Sequence, residues 1–160
     1  MEVCPQGWRL PTRQDWINLE QYLQAAGYDH PVSENWPWSG GRNRLAKSLA
    51  SKVPWQSSEI EAAPGHLPFE NNATGFNGYP AGIAGSDIYN PDPNHIGSTG
   101  LRVAGWWWTS TQGPPEQAEG LEGHPTAYMF QINYTNYQTY SDIYHSVNTY
   151  LHMSVRCIQQ

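Results

Sequence analysis

Along the first third of the chain, apolar residues recur twice at helical spacing. In "RLPTRQDWINLEQYLQAAG" the residues Trp16, Leu19, Leu23 and Ala26 fall on one face. Thr12 stands where an N-cap belongs, and Asp15, three residues on, completes a capping-box-like start. Gly27 supplies a stop at C′. "RNRLAKSLASK", Arg42 to Lys52, predicts a second, shorter helix, with Leu45 and Leu49 turned to the core and Arg42, Lys47 and Lys52 turned to water. Between the two, "HPVSENWPWSGG" reads as a rigid aromatic loop.

The pattern then breaks up. From Val53 to Gly105 no long periodic segment exists, and "NNATGFNGYPAGIAGSDIYNPDPNHIGSTG" is dense in turn-forming residues. Short strands and tight turns are expected there, packed by Phe69, Phe76 and Tyr79. A period of two follows. "AGWWWTST" predicts a strand with Trp106 and Trp108 on one face and Trp107 on the other, Trp107 buried and Trp108 partly exposed. In "TAYMFQINY" the residues Tyr128, Phe130 and Ile132 alternate with Ala127, Met129 and Gln131. "LHMSVRCIQQ" reads as a last strand with Met153, Val155 and Cys157 on one face. The linker "GPPEQAEGLEGHP" is an acidic Gly/Pro-rich loop. Two early helices, a loop-rich middle and a late antiparallel sheet make an α+β domain, one unit over residues 1–160.

Composition sharpens this picture. Only 38% of the residues are hydrophobic, but 13% are aromatic, with eight Trp. A core of a few large rings follows. With 15 Gly and 13 Pro alongside so many rings, long ordered loops fit better than disorder. The net charge of −6, with eight Lys and Arg, argues against nucleic acid and against an anionic membrane surface. No apolar run approaches a membrane span, so direct insertion of this domain is not expected. "MEVCPQGW" carries no signal peptide and is already motif-like, so a further region is expected upstream.

Two cysteines, Cys4 and Cys157, lie near opposite ends. The paired count and placement point to a disulfide closing almost the whole chain into a loop; two unrelated buried thiols are the alternative. The bond would contribute about 4–5 kcal/mol through chain entropy and would imply an oxidising compartment.

Four segments in order carry a resemblance. "CPQGWRLPTRQDWINLEQYL" is similar to the opening of the Fibrobacter succinogenes major paralogous domain family. "LAKSLASKVPW", "ATGFNGYPAG", and "WWTST" with the closing "SVRC" resemble its second helix, its Gly-Phe turn with a Pro-Ala-Gly bend, and its last strands. The likeness spans nearly the whole chain. It implies a C-type-lectin-like fold with the first and last strands paired and both termini close. It also implies a place on or outside a bacterial cell, in a lipoprotein or pilus-linked adhesin. His152 and Met153 depart from the Gly and aromatic residue usual before "SVRC", and the loop holding "YNPDPNH" is long for the family.

Catalysis finds little support. Formylglycine-generating enzymes share the "RLPT…W" opening but need reactive cysteines, and a disulfide-bonded sulfur is no nucleophile until reduced. No G-x-S-x-G, P-loop or H-E-x-x-H occurs. Glu59, Glu61, Glu119 and Glu122 read as solvated loop charges. The chain is therefore expected not to be an enzyme. The six His lack ligand spacing. Asp87, Asn90, Asp92 and Asn94 make a weak calcium candidate: His95 stands where an EF-hand loop needs Gly, and no Glu follows at the right distance. No cofactor is expected, calcium being the outside case. Asn72-Ala73-Thr74 and Asn133-Tyr134-Thr135 fit the glycosylation pattern but read as a plain turn and a strand end.

One stretch stands apart. "INYTNYQTYSDIYHSVNTY", residues 132–150, holds five of the ten tyrosines among Asn, Ser, Thr, Asp and His. Tyr brings large contact area at low entropic cost, and short polar side chains add adaptable hydrogen bonds, the composition of antibody binding loops. Tyr134, Tyr137 and Tyr140 are spaced by three, which fits neither a strand nor a sustained helix. The expected ligand surface comprises Tyr134, Asn136, Tyr137, Tyr140, Asp142, Tyr144, His145, Asn148 and Tyr150, with Trp108, and its target is a glycan or protein on a host or bacterial surface. A Tyr-rich, half-buried sheet face without ligand is the competing reading. The residue set also matches what randomised adenines in Asn codons produce, with Gln138 as a fixed position. That resembles the variable proteins of diversity-generating retroelements.

Overall fold

A computed structural model describes residues 3–32, 43–52, 55–85, 97–114, 123, 125–139, 147–148 and 151–160. The fold is α+β. Helix α1 spans Arg13–Ala25 and α2 spans Ala46–Leu49. The strands are β1 (Trp8–Arg9), β2 (Ile83–Gly85), β3 (Gly97–Thr99), β4 (Ala104–Gln112), β5 (Thr126–Asn133), β6 (Val147–Asn148) and β7 (Ile158–Gln159). Among the described residues they form three small antiparallel sheets: β1 with β7, β2 with β3, and β4-β5-β6 with β5 central.

Helix α1 begins and ends where local chemistry dictates. Thr12 Oγ1 accepts from the Asp15 N–H, and the Asp15 carboxylate accepts from the Thr12 N–H at 2.7 Å, a reciprocal capping box. At the other end Gly27, at φ +81°, donates to Gln24 O, and Tyr28 donates to Leu23 O, the Schellman pairing. Trp16 and Leu23 are buried and Leu19 packs beside them; Ala26, read onto the same face, is exposed.

Asp15 also takes both nitrogens of Arg9, at 2.6 and 3.1 Å. The Arg9 fork, helped by Thr12, holds the Asp15 carboxyl well below the usual carboxylate range against the opposing effect of burial. A carboxyl depressed in the folded state adds stability that is complete above its unfolded value near pH 4 and is lost as pH falls through the folded one. Asp15→Ala is therefore expected to cost about 1 kcal/mol at pH 6, the scale of a helix cap, and less at pH 2. Urea midpoints at the two pH values check this: the wild-type gap between them should narrow in the variant.

The core is built on rings, as the composition implies. Trp16 and Phe130 stack at 4.1 Å and 2°, and Phe76 meets Trp16, Trp107 and Phe130 edge-on. Leu45, Leu49 and Ile132 fill the remaining space with no exposure. Alternation along β4 buries Trp107 and leaves Trp106 and Trp108 half-buried. Gly105 is required on that strand, because an added Cβ would lie 2.6 Å from Tyr79 O. The disulfide is present: Cys4 and Cys157 are bonded with their Cα atoms 5.9 Å apart, beside the β1–β7 pair.

Several expectations are corrected. The second helix is one turn rather than Arg42 to Lys52. At Ala50 the backbone becomes extended and forms a bridge to Gly78, with Ser51 N–H donating to Gly78 O and Gly78 N–H to Leu49 O. Lys47, assigned to water, has no exposed side-chain surface. Phe69 and Tyr79, assigned to packing, are 67% and 49% exposed; only Phe76 joins the core. The closing segment is a strand only over Ile158–Gln159. Before it, Ser154 bridges Trp107 and His152 bridges Ala84, and Val155 is exposed while Met153 and Cys157 are half-buried. The aromatic loop from 33 onward, the Arg42 position and most of the acidic loop lie outside the described residues.

Candidate functional site

Strand β5 delivers the start of the tyrosine-rich stretch, and its last residue begins the site. Asn133 Oδ1 accepts from the Thr135 N–H at 3.1 Å and from its hydroxyl at 3.0 Å. Three residues on, Asn136 Oδ1 accepts from the Gln138 N–H at 2.9 Å. Each is an Asx turn, a side-chain carbonyl mimicking a backbone one and diverting the chain from the sheet. Two such turns in succession set a repeat of three, and Tyr134 and Tyr137 follow their two asparagines. From Tyr134 to Tyr137 the spacing that fits neither strand nor helix is a turn repeat.

The loop is fastened to the frame mostly through its main chain. Tyr134 N–H donates to Val103 O at 2.8 Å, and Tyr134 O accepts from Gly65 N–H at 3.0 Å. Gly65 is needed for that approach, because a Cβ there would press on Tyr134 O at 2.9 Å and on Gln56 O. Tyr137 O accepts from Ala46 N–H at 3.1 Å, at the start of α2. The end of the loop is locked by buried side chains. Thr139 donates its hydroxyl to the Glu20 carboxylate, and its N–H to Asn43 Oδ1 at 3.0 Å. Glu20, Asn43 and Thr139 are all buried. A carboxylate taking a hydroxyl in a buried setting is a strong, directional contact. Sequence reading missed these three anchors. The available signal was a carboxylate at Glu20 on the apolar side of α1, next to Leu19 and within one turn of Leu23.

The structure separates the expected site residues. Tyr134, Asn136 and Tyr137 lie together in the loop, all half-buried, and the Tyr134 ring packs against the core cluster. Asn136 is in part a turn-former. Trp108 pairs with Met129, midway along β5, while β6 brings Asn148 opposite Thr126 at the far end. From Thr126 to Tyr134 is roughly 25 Å of strand. The described members thus mark two ends and a middle rather than one point. Tyr140, Asp142, Tyr144, His145 and Tyr150 lie outside the described residues, as does the calcium candidate Asp87, Asn90, Asp92 and Asn94. Among the described residues no group of three or more His, Cys, Asp or Glu is placed to hold a metal ion. No helix among them is long and apolar enough to cross a membrane.

Compared with known families, the chain matches the model of the Fibrobacter succinogenes major domain over residues 1–159. No curated protein and no solved structure matches the chain.

Proposed function

The chain belongs to the Fibrobacter succinogenes major domain family, and from that premise we propose that it is a non-enzymatic binding module of a bacterial cell surface. On this reading the Tyr/Asn/Ser/Thr-rich stretch grips a glycan or protein, on a C-type-lectin-like frame in an adhesin anchored through a lipoprotein or pilus. The observation that supports it most is how the 134–139 loop is held. The frame grips Tyr134 and Tyr137 by their main-chain groups and grips Thr139 by its side chain. Their rings can therefore be exchanged without breaking those bonds, which suits a surface whose side chains serve a ligand. The Cys4–Cys157 bond fits an oxidising location.

The same arrangement supports the finer reading of a variable protein diversified at asparagine codons. Gln138 and the buried Thr139 would be fixed positions between variable ones. The gene tests this: a nearby template repeat differing only at adenines supports it, and no such repeat ends it.

The binding reading is tested with Tyr137→Ala combined with Tyr140→Ala. On a glycan array and against intact bacterial and host cells, capture by the monomer should be lost. The melting temperature should stay within about 4 °C, as for a change of about 1 kcal/mol in a domain of this size. The second reading is a structural cap or stalk module, favoured by the packing of the Tyr134 ring on the core. It expects no capture, tight dimers on size exclusion, and a large loss of stability in the variant.

A further inference from the structure

A cleft of about 500 Å³ opens where the two ends of the chain meet, lined by residues 3–10 and Gln160. Its size is within the usual range for small-molecule sites. Trp8 is conspicuous in its wall. The buried tryptophans Trp16, Trp55 and Trp107 are 3–4% exposed, whereas Trp8 is 45% exposed. The ring thus offers an open aromatic face beside the cleft.

The ring stands on a fixed base. The Cys4–Cys157 bond ties the ends together, and Trp8 N–H donates to Pro5 O at 2.9 Å. Trp8 pairs with Gln159 across the β1–β7 ladder, and Gln160 N–H donates to Gly7 O at 3.0 Å. A ligand would meet a platform already ordered, which lowers the entropic cost of binding.

The polar groups of the cleft define the chemistry it can take. The side-chain amides of Gln6 and Gln160 make no hydrogen bond among the described residues, and each offers two donors and an acceptor. Arg9 also lines the cleft, but its guanidinium is engaged by Asp15. Among the described lining residues Arg9 carries the one charged side chain, and it is paired. A flat aromatic face flanked by neutral amides suits a ligand with one apolar C–H face and a rim of hydroxyls. From this we infer that the cleft is a binding site for a neutral saccharide, with Trp8 as the stacking platform and Gln6 and Gln160 addressing its hydroxyls. The site shares no residue with the tyrosine-rich loop and stands whether or not that loop binds anything.

The test follows the Trp8 indole N–H by NMR on the intact, oxidised chain. The probes are cellotetraose, xylotetraose, mannotetraose and triacetylchitotriose, each to about 10 mM, enough to detect a Kd near 1 mM. At least one probe should shift the Trp8 signal saturably. The variants are read in the backbone amides of positions 7 and 160, which all of them keep: Trp8→Ala should weaken that binding about tenfold or more, Trp8→Phe less, and Gln160→Ala about two- to tenfold, the loss of one hydrogen bond. Tyr137→Ala should leave it unchanged, which separates this site from the loop. Absence of any shift with all four probes overturns the proposal, and the wild-type protein alone decides that. So does a sugar-dependent shift of the position 7 and 160 amides that survives Trp8→Ala, or a wild-type shift that follows protein concentration instead of sugar, which would assign the ring to contact between copies.

Discussion

Replacing both cysteines, Cys4→Ser with Cys157→Ser, is expected to lower stability by roughly 2–5 kcal/mol, about 5–15 °C in melting temperature. The bonded residues are separated by 153 positions, so reduction frees almost the whole chain in the unfolded state. Chain-entropy reasoning puts the full effect at about 5 kcal/mol for such a loop, and native strain or residual structure can only reduce it. Two signatures distinguish this from a packing defect. Wild-type protein in reductant should match the double variant, because the thiols fill the same space. The urea m-value should rise, because an uncrosslinked chain exposes more surface on unfolding. An unchanged m-value with a large loss would place the effect in the native state instead. The β1–β7 pair, only two residues long, depends on the bond, so the Trp8 cleft should lose its order first in reductant.

Lys47→Ala is expected to cost about 2–5 kcal/mol, the second large effect, through the buried stem it removes and the carbonyls it leaves without their donor. The side chain is wholly buried, and Nζ donates to His66 O and to Leu67 O, with Glu70 Oε2 at 3.7 Å. Burial lowers the Lys47 pKa against the pull of Glu70, so the frame keeps this ammonium at a cost. The return is structural. The two carbonyls belong to a turn in which Leu67 adopts the left-handed region at φ +45°, just before the 3₁₀ turn Pro68–Glu70. Without the ammonium the carbonyls of half-buried His66 and exposed Leu67 lose this donor. The Glu70 pairing is the lesser part, because that carboxylate is 42% exposed and screened. Urea unfolding should rank the losses as Lys47→Ala, then Lys47→Met at about 1–3 kcal/mol, then Glu70→Gln below about 1 kcal/mol. Met keeps most of the stem's packing, so the first gap measures the cavity. Should Glu70→Gln cost as much as Lys47→Ala, charge pairing rather than carbonyl capping holds the turn.

What could be read in advance divides by the range of the interactions. Helix α1 was legible at both ends because its caps lie within three or four residues of the groups they satisfy. β4 and β5 were legible because period-two alternation is local, and Trp107 turned inward as that alternation requires. The second helix was not. Its apolar spacing is real, but its carbonyls and amides past Leu49 are claimed by Gly78, which is nearly thirty residues away. Lys47 was misassigned for a related reason. A helical pattern assumes a wet face, and this single turn is enclosed on every side. The Tyr134–Tyr137 spacing is local in origin, set by Asn133 and Asn136, each ahead of a tyrosine, but a turn repeat leaves no period of two or 3.6 to be read. The partners that fasten that loop, Glu20, Asn43, Ala46, Gly65 and Val103, come from four separate parts of the chain, and only the Glu20 carboxylate on the apolar side of α1 leaves a local trace.

By itself, then, the sequence determined the fold class, the first helix with its two caps, the ring-built core and the pair of cysteines that could meet. Each follows from residue chemistry acting over a few positions, or from composition. Only the tertiary structure decided how short the second helix is, that an ammonium sits inside, that Phe69 and Tyr79 face water, and that the cysteine ends frame a cleft with an exposed indole. Those outcomes depend on which distant backbone groups compete for the same hydrogen bonds, and that competition exists only once the chain has folded.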